Sequence, residues 1–287
     1  MENIVENQIN NYIDGRIIKE RRVLSEAFNM RCEKISLEEN ETIIAKYYIK
    51  RNNNFNSIVS ETNSLKFLLK KFPLLFPDIK YSSNNLLLIN FIENNNIKIS
   101  DYGKILADNI LDLHSINNDK YGFDFDAQIG GLQQSNKYEK SWVKFFGEKR
   151  LNMIFEHINK SNPMPAIINK NIDKLLKNLK NYIPNNPSVN LLHGDLWSGN
   201  ILFHNGKLAG LIDPGIYFGH NELEIAYLTW FKYIDQTFLD YYSNTIKIDK
   251  YFFKYEPIYQ LYFSLLNVHL WSREYIQDVE KLLNKIY

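Results

Sequence analysis

Between Asn190 and Ile216, short apolar runs alternate with isolated polar residues at fixed distances, and no other stretch restricts the fold as much. It reads Asn-Leu-Leu-His-Gly-Asp-Leu-Trp-Ser-Gly-Asn-Ile-Leu-Phe-His-Asn-Gly-Lys-Leu-Ala-Gly-Leu-Ile-Asp-Pro-Gly-Ile. Asp195 lies five residues before Asn200, and Asp213 lies thirteen after it. Residues 191–192, 201–203 and 208–212 have the composition of short strands. A hairpin turning at 204–207 brings Asp213 back beside Asn200. The pattern therefore predicts strand pieces that frame a loop, with two acids and an amide carried at its ends.

Those residue types suit one kind of chemistry. Transfer of a phosphoryl group to an alcohol or amine needs an acceptor for the nucleophile's proton, positive charge around the triphosphate, and in-line placement of the reacting atoms. The carboxylate of Asp195 fits the first need. The side-chain oxygens of Asn200 and Asp213 are hard donors of the sort that Mg²⁺ prefers. The spacing matches the kinase pattern H-R-D-x-x-x-x-N followed by a metal-binding Asp, with Gly194 in place of Arg and Asp213-Pro214-Gly215 in place of D-F-G. Upstream, Lys46 sits within Ile-Ile-Ala-Lys-Tyr-Tyr, which resembles the V-A-I-K strand. A lysine on a buried strand face needs a counter-charge. Glu61, on the following helix, is the natural partner, and the pair would orient Lys46 toward the α- and β-phosphates of ATP. Residues 86–92 then lead to the hinge, where the backbone of Asn90 and Ile92 is expected to bind adenine.

The rest of the chain fits around this core. Residues 23–34 and 42–49 read as strands with a turn at 38–41, and 77–81 with 86–91 as a strand pair about Ser-Ser-Asn-Asn. Residues 52–56 are a polar break, and Ile58, Leu65, Leu68 and Leu69 recur at helical spacing. Residues 93–96 read as a linker. Beyond it the periodicity is mostly helical. Ser100 or Asp101 is expected to cap, through its side-chain oxygen, a helix running toward His114. Residues 138–158 carry an aromatic face, and 222–233, 255–271 and 273–286 read as further helices. Composition narrows the function classes. At 45% hydrophobic and 14% aromatic the chain excludes wholesale disorder. A net charge of +1 gives no pull toward nucleic acid. The single cysteine, Cys32, excludes an intrachain disulfide or a multi-cysteine zinc site, and the six histidines lack ligand spacing. No apolar run approaches the roughly 20 residues of a membrane span. The acidic, Asn-rich start does not read as a secretory signal, so a cytoplasmic location is expected.

His193-Gly194-Asp195-Leu196-Trp197-Ser198-Gly199-Asn200 resembles the signature of the fructosamine kinases (ketosamine-3-kinases), within the larger aminoglycoside phosphotransferase and choline kinase-like group. Ile212-Asp213-Pro214-Gly215, then Tyr217-Phe218-Gly219-His220 and Glu222-x-Glu224, resembles that family's D-P-A…Y-G-H-x-E-x-E/D run, with Phe218 at the usual Tyr. Tyr121-Gly122-Phe123, Ser141-Trp142, Arg150-Leu151 and Tyr259-Gln260-Leu261-Tyr262 are similar to further family stretches. The resemblance implies an α+β, two-lobed protein-kinase-like fold. Residues 1–93 would form a small β-rich lobe, a five-stranded sheet plus a helix that binds nucleotide. Residues 94–287 would form a larger, mostly helical lobe with the catalytic loop and metal site. It implies ATP-dependent phosphorylation of a sugar hydroxyl, O3 in the family, on a small-molecule ketosamine or glycated amine. By position, Asp195 would be the base, Asn200 and Asp213 the Mg²⁺ ligands, Lys46 the phosphate lysine and Glu61 its partner. Trp197 would offer an apolar wall to the substrate.

Two other readings stay open at this stage. One is a different small-molecule kinase of the same group, acting on an aminoglycoside, choline or a sugar alcohol. The other is a nucleotide-binding pseudokinase module, favoured by the nucleotide-loop stretch 24–30, which holds no glycine where the family usually has several. A protein kinase fits less well, because no A-P-E segment follows Asp213.

Overall fold

The computed structural model of the chain describes residues 2–50 and 55–287; most of the polar break expected at 52–56 lies outside them. From the N-terminus the elements are α1 (Glu2–Ile13), β1 (Ile18–Ala27), β2 (Met30–Leu37), β3 (Thr42–Tyr48), α2 (Ser57–Leu69), β4 (Ile79–Ser82), β5 (Leu86–Asn90) and α3 (Tyr102–His114). Next come β6 (Ala127–Ile129), β7 (Leu132–Gln134), α4 (Trp142–Phe146), a π-helical turn (Gly147–Asn152), α5 (Met153–Ser161), α6 (Ala166–Asn178) and β8 (Asn190–Leu192). The last third holds β9 (Ile201–His204), β10 (Lys207–Leu211), β11 (Tyr217–Gly219), α7 (Glu222–Trp230), α8 (Gln236–Ser243), α9 (Phe252–Leu270) and α10 (Ile276–Ile286). The architecture is α+β. The chain divides into two compact units, one of Met1–Ile99, Ala127–Gln133 and Gly199–Gly215, the other of Ser100–Asp126, Gln134–Ser198 and Ile216–Tyr287.

The first unit is built on a five-stranded antiparallel sheet of order β1-β2-β3-β5-β4. Strand β3 lies at its centre and is buried along nearly its whole length, as its β-branched and aromatic residues require. Strand β1 is the exposed edge, and it is rich in charge, with two of its charged residues in ion pairs. Arg21 bonds Glu6 of α1 and Glu33 of β2, and Arg31 of β2 meets Glu26 at 3.0 Å. Such charged edges blunt edge-to-edge association. The structure breaks the expected strand 23–34 in two. Phe28 and Asn29 both adopt left-handed backbone, φ 53° and 60°, and make a two-residue turn with Ala27 opposite Met30. Residues 24–27, expected in a nucleotide loop, are therefore strand. Without glycine the turn carries little sequence signal; Asn29 is its one residue that tolerates such a backbone well. Helix α1 lies outside the sequence expectations, because only Val5, Ile9 and Ile13 mark its buried face among polar residues. Helix α2 starts as its sequence dictates: the Asn56 side chain accepts from the amides of Ile58 and Val59.

The second unit is mostly helical, and its core is aromatic. Trp142 is fully buried, stacks near Phe145 and Phe146, and donates its indole N–H to Tyr259 Oη at 2.7 Å. His220 shares that hydroxyl at 2.8 Å. Phe218, in the place of the family's usual Tyr, stacks on Phe123 and pairs its backbone with Gly122. The helix expected over 138–158 begins only after Ser141, whose hydroxyl caps it, and a π-helical turn interrupts it at 147–152. The cap expected from Ser100 or Asp101 is not made by a side chain. Asp101 has φ −93° and ψ 15°, so its carbonyl takes the Lys104 and Ile105 amides while Ser100 bonds its carboxylate. Arg150 is wholly buried, its guanidinium 4.0 Å from the Tyr217 ring centroid and bonded to Asn136 and the Ser135 carbonyl.

Candidate active site

Three of the sequence-predicted residues meet within the first unit. Lys46 projects from the middle of β3 and Glu61 from the buried face of α2, and Lys46 Nζ lies 2.5 Å from Glu61 Oε1. The same ammonium reaches the Asp213 carboxylate. Both Lys46 and Glu61 are nearly inaccessible to solvent, at 8% and 3%. Burial alone would depress the ammonium, yet Asp213 and Glu61 outweigh it and hold Lys46 well above the ordinary lysine range. Lys46 is thus a fixed cation tethered at two points. Cys32 lies directly opposite Lys46 in the β2–β3 ladder, and burial pushes its thiol up to about 11.

Asp213 is delivered by the hairpin that the spacing predicts. Asn205 and Gly206, both at positive φ, form the two-residue turn between β9 and β10, which is the favoured chemistry for such a connection. Ile212 then donates its amide to the Asn200 carbonyl at 3.0 Å, so Asn200 and Asp213 end on one side of the hairpin's open end. Asp213 itself has φ 58° and precedes Pro214. Proline disfavours that conformation in the residue before it, so this is strained backbone at a polar, half-buried carboxylate, a pattern common where geometry is imposed for function. Among the described residues no cluster of three or more His, Cys, Asp or Glu is arranged to hold a metal. One amide oxygen and one carboxylate nevertheless fit Mg²⁺, which commonly takes one or two protein oxygens and fills its octahedron with phosphate and water.

Asp195 belongs to the second unit, on the loop after β8. Burial and hydrogen bonding fix that loop's backbone through Glu224 of α7, a residue whose importance lies outside any spacing rule. Glu224 Oε1 accepts from Gly194 N at 2.7 Å, and Oε2 accepts from His193 N at 3.2 Å while meeting His114 Nε2 at 2.9 Å. His114 is held in turn by Tyr242 Oη at 2.7 Å, which also takes the Asn221 amide. His193 is buried, and its Nδ1 accepts the Asp195 N–H, a structural part rather than a second base. The only sequence signal for Glu224 is an acid inside the apolar start of a helix whose residues 222–228 are all buried. Trp197 stands two residues beyond Asp195, more than a third exposed, and its amide donates to the Asp195 carbonyl.

Of the expected adenine-binding residues, Asn90 ends β5 and Ile92 follows just beyond it. The Asn90 amide donates to the Asp78 carbonyl, and its side-chain oxygen accepts the Asp78 amide, so this residue secures the sheet edge. The Ile92 carbonyl accepts from Asn94 Nδ2. Its side chain lies over Gly210, where a Cβ would come within 2.7 Å of the Ile92 methyl.

The family profile described as fructosamine kinase matches residues 18–287. A Vibrio cholerae protein named a probable ketoamine kinase is 26% identical over 251 residues, which is 85% of each chain. A solved Haemophilus somnus structure, named a candidate fructosamine-3-kinase, superposes with a TM-score of 0.83 at 24% identity, covering 98% of this chain and 96% of the other. An ADP-bound aminoglycoside phosphotransferase superposes at 0.65 and 18% identity, covering 99% and 98%. These likenesses show the protein-kinase-like fold. Among the described residues no helix is long and apolar enough to cross a membrane. The chain belongs to the fructosamine kinase family and is an ATP-dependent phosphotransferase.

Proposed function

We propose that this kinase phosphorylates a sugar hydroxyl of a ketosamine, with Asp195 as general base and Lys46 as the cation that orients the nucleotide phosphates. Glu61 of α2 holds the Lys46 ammonium in place. The backbone of Asn90 and Ile92 meets the adenine edge, and Trp197 lines the acceptor side. Asn200 and Asp213 hold Mg²⁺, which would neutralise charge on the phosphates. Asp195 takes the proton of the attacking hydroxyl as the oxygen gains nucleophilicity. The hydrogen bonds from the loop backbone to Glu224 keep that carboxylate at a constant position during the transfer.

The observation that carries this reading is the double tether of Lys46, by Glu61 and by Asp213, since a buried lysine shared by two carboxylates is arranged to be handed to an anion. A glycine-free turn at Phe28–Asn29 does not remove any of these groups. The test is transfer of labelled phosphate from ATP across fructosyl-, ribulosyl- and psicosyl-amines, with aminoglycosides and choline as controls. Phosphate on a ketosamine, reduced by about 10²–10⁴-fold in Asp195→Asn while ATP binding stays intact, is the expected outcome. Transfer to an aminoglycoside alone would replace the acceptor, and nucleotide binding with no transfer at all would replace the activity.

A further inference from the structure

Next to Asp195 the second unit exposes two large aromatic rings that its core does not need. Trp197 and Phe231 are 37% and 38% exposed, and their rings face each other at 6.1 Å between centroids, tilted by 44°. That separation is too small for a third ring or a sugar to slip between them, so the pair forms one continuous wall. The wall is braced from behind. Phe231 rests on Trp230 at 5.2 Å and on Tyr227 at 5.3 Å, and Tyr227 lies flat on Phe263 of α9, 3.6 Å away at 5°. Tyr227 is close enough to Asp195 that its phenol, raised chiefly by burial, is raised further by that carboxylate.

The electrostatics of the wall favour one class of group. Phe231 closes the C-terminal end of α7, where the aligned peptide dipoles leave partial negative charge. The faces of indole and phenyl rings are negative too, and attract ammonium groups. Asp195, whose carboxylate acts on Tyr227 beneath the wall, adds negative charge close by. An aromatic wall at a helix C-terminus, beside the group proposed to activate the sugar hydroxyl, offers ring faces that a nitrogen cation matches, even with Lys232 exposed next to Phe231. A secondary alkylamine carries its proton at neutral pH, and in a ketosamine that nitrogen is bonded to the same sugar whose hydroxyl is to be phosphorylated.

We propose that Trp197 and Phe231 form an ammonium-recognition wall that selects ketosamines by the positive charge on their nitrogen. The inference rests on the reading of Asp195 and Trp197 as acceptor-side residues. It makes Phe231 a specificity residue, and it makes the amine, rather than the sugar alone, the feature that admits a substrate.

The test compares fructosyl-propylamine, a cation, with its N-acetyl derivative, a neutral amide on the same sugar. Steady-state transfer and equilibrium binding by calorimetry are both measured. The wild-type protein is expected to favour the cation by tenfold or more in KM and in Kd. Phe231→Leu and Trp197→Leu are each expected to shrink that ratio several-fold, while Phe231→Tyr and Trp197→Phe keep it. A general packing defect would weaken both ligands alike and leave the ratio in place. Equal affinity for the two compounds, or an unchanged ratio in Phe231→Leu, overturns the wall. Lack of transfer to either compound overturns the ketosamine reading instead, and the binding ratio still decides the role of the wall.

Discussion

Replacing Glu224 by Gln tests how the loop bearing Asp195 is held. In the native protein the Glu224 carboxylate answers three groups at once, Gly194 N at 2.7 Å, His193 N at 3.2 Å and His114 Nε2 at 2.9 Å. Glutamine is nearly isosteric but brings one oxygen and one NH₂. If its oxygen keeps Gly194, the NH₂ points at the His193 N–H, and a buried donor faces another donor. Hydrogen bonds to a charged group are worth about 1.5–3 kcal/mol, and an orphaned buried amide costs about 1–3 kcal/mol. The site is 2% exposed, so water cannot make up the loss. We expect a destabilisation of about 3 kcal/mol, read from urea unfolding. Amide exchange at His193 and Gly194 should quicken by more than that of α9. Turnover should fall by about 10²-fold, because an error near 1 Å in a reacting group has that scale of effect. Binding of Mg-ATP should change little, since Lys46 and Asp213, the groups proposed to hold it, belong to the other unit. A Glu224→Gln protein with native stability, native exchange at Gly194 and native turnover would refute the claim that this carboxylate sets the loop.

Lys46→Met should drop transfer by about 10²-fold or more and destabilise the fold by about 3–5 kcal/mol, because it leaves the buried Glu61 carboxylate without its cation; a stable, active variant would detach Lys46 from the phosphates. Burial depresses His220 to about 3, with His114 adding to the effect. The unfolded histidine takes a proton near pH 6.5 while the folded one does not, so stability present above pH 6.5 is lost as pH falls toward 3. By about pH 4.5 the loss from this one group is about 3 kcal/mol, and the slope should flatten in His220→Gln when unfolding free energies are compared across that range. Cys32, held near 11, should react slowly with iodoacetamide at pH 8 and accelerate as pH rises through 9–11; brisk alkylation at pH 7 would contradict its burial.

Much of this was legible in the sequence wherever function depends on local spacing. The Asn205-Gly206 turn carries its own conformational signature, and once it is placed, Asp213 must return beside Asn200. Lys46 and Glu61 were readable because a lysine amid β-branched residues demands a partner and the next helix offers one acid on its buried side. What stayed hidden depends on distance along the chain or on backbone that residue type does not announce. Glu224 lies thirty residues from Gly194, and nothing in either segment names the other. The left-handed Phe28 contradicts its own steric preference, so the two-residue turn surfaces only from the register of β1 against β2. Trp197 was expected on the substrate side, but its pairing with Phe231 joins a loop to a helix end thirty-four residues later, and helical periodicity over 222–233 does not announce that Phe231 is exposed.

The ammonium of Lys46 is shared by two carboxylates, which leaves that cluster with one surplus negative charge. If Lys46 receives the triphosphate as proposed, the nucleotide would meet a cation already engaged and would have to displace one of its two carboxylates. Bare ATP would add repulsion to that contest, whereas a nucleotide that brings its own divalent ion offers Asp213 a replacement partner in the same event. On the roles proposed for Lys46 and Asp213, admission would be a swap of counter-ions, and the cluster would favour the metal-chelated form.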